Sequence, residues 1–502
     1  MSLKSSLSKP LAAWVVFQQR RWRQNPVAIQ QRVLKQLIKR ARHTLFGRDH
    51  RFSTIRDYED FKACVPVRDY EGLSTYIHKI KTGTGNVLWP GKPLYLAETA
   101  GTTSGSKYIP ITQESIPHHL RGARNALLNY IHETGKTSFI SLPMIFLSGS
   151  PQLGDTGGIP TGRISGIVNH HVPSYLQHNQ LPSYATNCIE DWEAKVDAIV
   201  QETLSAKMGL IAGIPPWIQM YLDKLRQRTG QYIKDIFPAL SVLVHGGVNF
   251  APYRTKLLDT IGKPIDTIET YPASEGFIAF QDSQQTEGLL LQLNSGIFFE
   301  FIPASEYFNK NPTRLCIEDV VLGVDYAVIL STSAGLWAYS LGDTVKFVSN
   351  DPHRIVVTGR IKHFTSAFGE HVILEEVDKA MQHALAQHPE TKLAEFTVAP
   401  QVSKISGKSS YHEWLIEFVH PPQNMQIFAQ DLEQELCRLN TYYNDLVTGK
   451  ILKPLQITQL TRGTFKQNMQ AANKLGGQNK VVRLANDREL ADALLAHQVS
   501  VT

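Results

Sequence analysis

Between residues 94 and 271 the sequence alternates short apolar runs with stretches of helical periodicity. The apolar runs read as strands, and they are "PLYLAE", "SFISLPMIFLSG", "MGLIAGIP", "LSVLVHGG" and "IDTIETY". Between them, apolar residues recur at helical spacing, as in "HHLRGARNALLNYIHET" and "CIEDWEAKVDAIVQETLS". Strands that alternate with helices of this length are typical of a largely parallel sheet covered by helices. The pattern therefore predicts an α/β fold.

The sequence on either side of this alternation predicts different structure. The first ninety residues have helical spacing, whereas the stretch from 288 to 358 contains strand-like runs without it, which predicts antiparallel strands or a distorted barrel. After Gly359 the pattern resets to helix, strand, strand, helix and strand, the order of a small two-layer α+β domain. Because 502 residues exceed one typical domain, we predict two, residues 1–358 and 359–502, with a hinge near 359–362.

Composition favours a globular protein of the cytoplasm. The hydrophobic fraction of 42% supports a large core, and no apolar run approaches the ~20 residues of a membrane span. The four cysteines are each more than a hundred residues apart, which predicts free thiols in a reducing compartment. The net charge of +6 is not accompanied by any nucleic-acid-binding motif, so no nucleic-acid partner is expected.

The N-terminal stretch "MSLKSSLSKPLAAWVVFQQRRWRQ" predicts an amphipathic first helix. A peripheral membrane helix is the alternative, because Trp14, Phe17 and Trp22 lie among basic residues. No heptad repeat or strongly apolar exposed stripe is evident along the chain. We therefore expect a monomer.

The stretch "ETAGTTSGSKYIPIT", residues 98–112, is a candidate phosphate-binding loop. Its glycines allow amides to approach an anion, and its hydroxyls and lysine can complete the cradle. It is not a Walker loop, since three residues rather than four separate Gly101 from Gly105, and Ser106 intervenes before the lysine. An ordinary polar turn between two strands is the alternative. The candidate phosphate ligands are Thr102, Thr103, Ser104 and Lys107.

Two predicted strands end in residues suited to a nucleotide. "VLVHGGVNF" ends in Gly246 and Gly247, and "TIETYPASEGFIAF" carries Tyr271 and Glu275. Carboxyl ends of parallel strands meet at one crevice, where glycines admit a flat ring and an aromatic side chain covers it. Glu275 is a candidate magnesium ligand, because Mg²⁺ binds carboxylate oxygens beside phosphates. A plain strand end with an exposed glutamate remains the alternative.

Three later stretches add polar candidates. Asp343, in a predicted Leu-Gly-Asp turn between two strands, can accept hydrogen bonds from both hydroxyls of a ribose, or it is a hairpin aspartate. Arg360 and Lys362 at the domain joint can touch a nucleotide or be solvated linker charges. The stretch "RGTFKQNMQAANKLGGQNKVVRL" predicts a Gly-rich loop whose late lysine can enter an active site if its domain moves, or a basic tail.

In this order, the Ser/Thr-Gly loop, the Tyr-x-x-Ser-Glu turn, the Tyr-x-Leu-Gly-Asp turn and the "QNKVVRL" end resemble the adenylate-forming enzymes. They are most similar to the plant auxin-inducible acyl acid amido synthetases and their bacterial relatives, the Gretchen-Hagen-type family. The resemblance covers roughly residues 10–485. It implies a large adenylating domain, in which parallel α/β sheets accompany a distorted β-barrel, and a small mobile C-terminal α+β domain.

The resemblance also implies an activity and roles for residues. ATP would activate a carboxylic acid as its acyl-adenylate, with Mg²⁺ and release of pyrophosphate, and an amine, expected to be an amino acid, would then form an amide. The roles implied by position are as follows: Thr102, Thr103 and Ser104 hold phosphates with Lys107 nearby, Tyr271, Ser274 and Glu275 border adenine and magnesium, Asp343 holds the ribose, Arg360 sits at the hinge, and Lys480 contacts the phosphate side of the adenylate.

Two positions depart from the family pattern, His363 where many adenylating enzymes have Asp, and His371 where plant members have a lysine after the hinge. Acyl contacts are expected from residues 154–175, a glycine-rich segment without clear periodicity. Arg121 and Arg124, one helical turn apart, are candidate acid ligands or plain surface arginines. Two other functions stay open, a thioester ligase that uses coenzyme A or a carrier protein, and an inactive nucleotide-binding protein.

Overall fold

The protein was analysed as a computed structural model. The structure describes residues 3–102, 105–172, 179–189, 191–248, 250–361, 364–365, 368, 370, 372–402, 410–471 and 481–499. Six residues named above lie outside this part of the chain, and they are Thr103, Ser104, Lys362, His363, His371 and Lys480.

The N-terminal region is helical, as its periodicity predicts. Its helices are α1 (Leu3–Arg23), α2 (Pro26–Ala41), α3 (Leu45–Asp49), α4 (Tyr58–Cys64) and α5 (Tyr70–Lys81). Helix α2 is tied to the sheet by Gln30, whose amide donates to the backbone oxygens of Leu293 (2.7 Å) and Ile297 (2.9 Å). Its side-chain oxygen accepts from the N–H of Phe299 at 2.8 Å. The buried Gln30 side chain thus supplies hydrogen-bond partners to three backbone groups of the sheet.

A four-stranded sheet follows. Its strands are β1 (Tyr95–Thr102), β2 (Gly105–Ile111), β4 (Gly154–Thr156) and β5 (Ile159–Gly162), in the order β2-β1-β5-β4. The sequence shows no clear periodicity from residue 154 onward, yet most of this segment forms strands and a helix. Gly157 and Gly158 have φ of 63° and 78° and close a hairpin between β4 and β5, and α7 (Ile164–Asn169) comes next. Strands of three and four residues are too short to show a period.

The main sheet has eleven strands in the order β12-β13-β14-β15-β11-β10-β9-β8-β7-β3-β6. Its strands are β3 (Met144–Phe146), β6 (Gln180–Leu181), β7 (Leu210–Gly213), β8 (Val242–Gly246), β9 (Asp266–Ala273), β10 (Gly276–Phe280), β11 (Leu289–Leu291), β12 (Ile297–Pro303), β13 (Asp325–Thr332), β14 (Tyr339–Asn350) and β15 (His353–Arg360). Neighbouring strands pair in parallel in the part ordered β9-β8-β7-β3-β6. Neighbouring strands pair antiparallel in the part from β12 to β9. The two predicted kinds of strand therefore share one sheet.

Helices connect and cover the parallel strands. They are α6 (Ile116–Thr134), α8 (Tyr184–Asn187), α9 (Trp192–Thr203), α10 (Pro215–Thr229), α11 (Ile233–Ile236) and α12 (Ala251–Ile261). Helix α6 packs against α1 on one side and β10 on the other. Gly122 makes the second contact possible, because a Cβ there would collide with the ring of Phe277. The predicted α/β fold is confirmed.

The C-terminal region begins with the short pair β16 (Phe364–Thr365) and β17 (Val372–Ile373). Its main elements are α13 (Leu374–Gln387), β18 (Lys392–Gln401), β19 (Tyr411–His420), α14 (Met425–Leu439), α15 (Thr441–Thr448) and β20 (Gln456–Leu460), with a sheet ordered β18-β19-β20. This is the predicted α+β order with α15 added. Helices α16 (Thr464–Ala471) and α17 (Glu489–Val499) follow. Part of the predicted Gly-rich loop is therefore helix, since "TFKQNMQA" contains no glycine. The hinge and its boundary stay predictions.

None of the helices in the described ranges is long and apolar enough to cross a membrane.

Candidate functional site

A cavity of about 2770 Å³ lies beside the strand ends of the main sheet. Eight predicted site residues line it, namely Lys107, Gly246, Gly247, Tyr271, Ser274, Glu275, Asp343 and Arg360. They come from β2, the end of β8, the β9–β10 turn, β14 and β15, so residues far apart in sequence share one site. Thr102 ends β1, and Lys480 lies outside the described residues. The structure thus brings together most of the predicted nucleotide site.

Asp343 is held in this site by an ion pair and a hydrogen bond. It lies opposite Arg360 in the antiparallel pairing of β14 and β15 and forms an ion pair with the guanidinium. The hydroxyl of Tyr271, on β9, donates to Oδ2 of Asp343. Burial and the neighbouring Asp343 raise the pKa of Tyr271 well above its ordinary value, so this hydroxyl stays protonated and remains a donor.

The hydrogen bond between Tyr271 and Asp343 reports the shape of the sheet. Strand β9 is separated from β14 by β10, β11 and β15, which would put the two strands about 19 Å apart in a flat sheet. A tyrosine side chain cannot span that distance. The antiparallel part of the sheet must therefore curl, which is the distortion that the sequence predicts for this region.

The predicted turn at Leu341-Gly342-Asp343 is wrong. These residues lie inside β14, and the strand continues to Asn350. Gly342 has φ of 88°, and the register with β15 shifts between Thr344 and Val345. A glycine in this conformation bends the strand without ending it, which a sequence pattern cannot distinguish from a turn.

Glu275 sits in the tight turn between β9 and β10, where Ala273 pairs with Gly276. Its Oε1 accepts from the hydroxyl of Tyr339 at 3.2 Å. Burial raises the pKa of Glu275, and the positive charge of Lys107 opposes that rise. The carboxyl is therefore a buried acid whose charge depends on a cation beside it.

Lys107 lies on β2 opposite Thr99 of β1. Its Nζ is 6.0 Å from the ring centroid of Tyr70. Burial lowers the pKa of this lysine, and the charge of Glu275 acts in the opposite direction. Lys107 and Glu275 thus stabilise each other's charged forms within the cavity.

Glycine is required at the two positions at the end of β8 for different structural reasons. A Cβ on Gly246 would collide with the carbonyl oxygen of Thr270 on the neighbouring strand β9. Gly247 has φ of 82°, a conformation that favours glycine. Gly246 therefore allows strand packing, and Gly247 turns the chain at the cavity edge.

The site offers a magnesium ion few protein ligands. Within the described part of the chain no three His, Cys, Asp or Glu side chains cluster as metal ligands do. Asp343 is paired with Arg360, whereas Glu275 is a buried carboxylate in the same cavity and is suited to a metal. Mg²⁺ commonly takes one or two carboxylates and completes its shell with phosphate and water oxygens. One buried carboxylate beside Lys107 fits a metal that arrives with phosphates.

Sequence reasoning missed three residues that line or support the cavity. His245, which precedes the glycine pair, is buried, stacks on Phe250 with ring centroids 3.8 Å apart, and has its pKa lowered to about 4 by burial. Tyr339 holds Glu275, and the quoted Tyr-x-Leu-Gly-Asp motif contains it. Tyr442, from α15, lines the cavity and donates to the backbone oxygen of Glu98 at 3.1 Å. No sequence pattern connects Tyr442 with this site.

The predicted acid-binding region also lies in the cavity wall. Arg121 and Arg124 of α6 line it together with apolar residues of the same helix, including Leu120 and Leu127. Arg163, which precedes α7, lines it from another side and lies over the ring of Tyr442, 4.3 Å from its centroid. This part of the cavity is therefore mainly apolar, with arginines among its polar groups.

Comparisons with known proteins place this chain in a family. Models of the GH3 family N-terminal, central and C-terminal domains match residues 18–180, 290–360 and 375–489. A jasmonoyl–L-amino acid synthetase of Nicotiana attenuata is 22% identical over 395 residues, which are 63% of this chain and 66% of that protein. The match therefore spans just under two thirds of this relative. One of Oryza sativa subsp. japonica is 23% identical and covers 86% of this chain and 87% of its own.

Solved structures share the fold over nearly the whole length. An acyl acid amido synthetase in complex with 2,4-DB has a TM-score of 0.59 at 17% identity and covers 94% of both chains. A 2-hydroxyisobutyryl-CoA ligase in complex with 2-HIB-AMP and CoA has a TM-score of 0.60 at 14% identity, covering 95% of this chain and 92% of its own. Since three models of one family match in order along most of the sequence, the chain belongs to the GH3 family.

Proposed function

We propose that this protein is an ATP-dependent ligase that activates a carboxylic acid as its acyl-adenylate and transfers the acyl group to an amino acid. The observation that carries the proposal is the cluster of Lys107, Glu275, Asp343 and Arg360 around one cavity. Two relatives are named as jasmonoyl–L-amino acid synthetases, and a third is named as an indole-3-acetic acid-amido synthetase. Their names support an amide-forming reaction here.

The nucleotide would be held at its ribose by Asp343. A carboxylate can accept hydrogen bonds from two neighbouring hydroxyls, and Arg360 and Tyr271 fix the orientation of this one. Gly247 and Tyr271 lie along the same cavity and would border the adenine. Because its partners are already in place, Asp343 would lose little conformational freedom on binding.

Adenylation joins the acid oxygen to the α-phosphorus of ATP and breaks the bond to pyrophosphate. Crowding of anions opposes this step, so positive charge must be supplied. Among the described residues, Lys107 can supply this positive charge, and we propose Lys480 as a second source. Glu275 would hold Mg²⁺, which offsets phosphate charge when bound. Thr102, Thr103 and Ser104 would hold the departing pyrophosphate.

Amide formation requires a neutral amine to attack the acyl carbon and release AMP. The amine must approach from another direction, and we propose that the C-terminal domain turns about the hinge at residues 359–362 between the two steps. The acid would lie in the wall formed by α6, with Arg121 or Arg124 near its polar groups. A cytoplasmic, monomeric enzyme remains our expectation.

Acid-dependent exchange of labelled pyrophosphate into ATP tests the proposal. We expect exchange with some member of a broad panel of carboxylic acids, and net amide product when amino acids are added, identified by mass spectrometry. Turnover that requires coenzyme A would favour a thioester ligase instead. Absence of exchange with every acid would leave an inactive nucleotide-binding protein.

Variants of Glu275 test whether this cavity is the site of pyrophosphate exchange. Glu275→Gln keeps an oxygen that accepts from Tyr339 but removes the charge, so we expect exchange to fall at least about a hundredfold, as when one electrostatic contact to a transition state is lost. Glu318→Gln is the matched control, since Glu318 is exposed and outside the cavity lining. Equal exchange in the two variants would exclude Glu275 from the reaction.

A further inference from the structure

Helix α1 leaves an apolar face uncovered. Leu7, Leu11, Trp14 and Phe17 are 59%, 47%, 57% and 54% exposed. Their spacing of four, three and three residues puts them on one side of the helix. The opposite side is buried through residues such as Ala12 and Val15 and packs on α6. The sequence was expected to have no exposed apolar stripe, and this face is one.

Positive charge continues the same face. Arg21 is four residues beyond Phe17, and its guanidinium lies 5.8 Å from the centroid of that ring. Arg20 is exposed beside it. Neither arginine forms an ion pair with a residue that the structure describes. The face therefore passes from apolar to cationic towards the end of α1.

The charge of the surrounding sequence has one sign. The first 48 residues contain 11 Lys and Arg and no Asp or Glu, although the whole chain carries only +6. On α2, Arg32, Lys35 and Lys39 are exposed as well. Excess positive charge in the N-terminal helices favours an anionic partner.

The uncovered face is continuous with the cavity. Leu7 and Leu11 are exposed and also line the cavity wall, next to Leu120 and Leu127 of α6. The cavity therefore opens beside the apolar residues of α1. A partner bound to this face would lie against that opening.

We propose that the face of α1 formed by Leu7, Leu11, Trp14, Phe17 and Arg21 docks on an anionic lipid membrane. Aromatic and aliphatic side chains that share a helix with basic residues bind at the boundary of headgroups and acyl chains, helped by attraction to anionic lipids. A second copy of the chain fits less well, because a symmetric contact would bring like charges together. An apolar acid dissolved in the membrane would then reach the cavity directly, a consequence that rests on the proposed function.

Co-sedimentation with lipid vesicles tests the docking independently of activity. We expect the protein to pellet with vesicles of phosphatidylcholine mixed with phosphatidylglycerol at about two to one, and much less with phosphatidylcholine alone. The double variant Trp14→Ser with Phe17→Ser should lose more than about tenfold in partitioning. Arg20→Gln with Arg21→Gln should lose about thirtyfold on anionic vesicles, at ~1 kcal/mol for each charge.

The matched control is Val321→Ser with Leu322→Ser, an apolar pair that is 59% and 51% exposed elsewhere. We expect its partitioning to equal that of the unaltered protein. Pyrophosphate exchange without vesicles should be unchanged in every variant, since none of the substituted residues lines the cavity. Failure to bind anionic vesicles would overturn the proposal. So would a dimer in light scattering that Trp14→Ser with Phe17→Ser converts to a monomer, because the face would then belong to a second copy.

Discussion

The contacts around Asp343 differ in kind from those that α15 makes with the N-terminal region. Asp343 and Arg360 are paired on adjacent strands, and their side chains are 10% and 27% exposed. Helix α15 is held by the hydrogen bond from Tyr442 to Glu98 and by the ion pair between Asp445 and Arg163, whose side chains are 49% and 29% exposed. The contacts of Asp343 lie within one sheet. The ion pair of α15 instead joins residues that are 282 positions apart in the sequence.

The difference in exposure implies a difference in strength. Truncating one partner of a buried, hydrogen-bonded charge pair costs about 2–5 kcal/mol, whereas exposed ion pairs contribute about 0.2–1 kcal/mol. The contacts of Asp343 suit a group that must keep one orientation throughout the reaction. Those of α15 suit a contact that forms and breaks, as a moving C-terminal domain requires.

Of the variants that test this comparison between the two regions, Asp343→Ala should have the largest effect. This change would remove the acceptor for the ribose and leave Arg360 and Tyr271 without it, so kcat/KM for ATP in pyrophosphate exchange should fall at least about thirtyfold, using the lower limit of 2 kcal/mol. Asp325→Ala is the control, since Asp325 pairs with Lys346 in the same sheet at 44% and 36% exposure. Exchange in the control should stay within about twofold. Similar losses in both variants would show that the effect is structural.

A change in pH profile is expected from Lys107→Met. In its proposed role Glu275 would have to be ionised to hold Mg²⁺, and its raised pKa means that this charge is lost as the pH falls, at a higher pH than for an ordinary glutamate. Removing the cation raises that pKa further, so the acid limb of kcat/KM should move to higher pH. Lys107→Arg keeps the charge and should keep the limb. If the acid limb does not move in Lys107→Met, ionisation of Glu275 is not the cause of that limb.

The smallest effect is expected from Tyr442→Phe. Loss of one hydrogen bond of about 0.5–1.5 kcal/mol should speed hydrogen exchange of the α15 amides, residues 441–448, by about two- to tenfold. Amides of β14 should be unaffected, because that strand pairs on both sides. Arg163→Gln should act in the same direction. Unchanged exchange in α15 would mean that the domain is held by other contacts.

Local patterns predicted the elements, and the order of motifs predicted most of the site. Lys107, Glu275 and Asp343 could be chosen because each belongs to a short motif at a strand. The bend at Gly342 could not be distinguished from a turn, since both require the same positive φ. Tyr442 could not be predicted at all, because its contact with Glu98 spans 344 residues and depends on how two regions dock.

The curled sheet also has a consequence for the order of synthesis. Tyr271 meets Asp343 only when β14 and β15 have joined the strands before them, so the proposed ribose site would be incomplete until residue 360 has left the ribosome. On that proposal, nucleotide would not stabilise the emerging chain before then, because binding stabilises only a state that has the site. The preceding strands and helices must therefore be stabilised by their own apolar contacts until β15 joins the sheet.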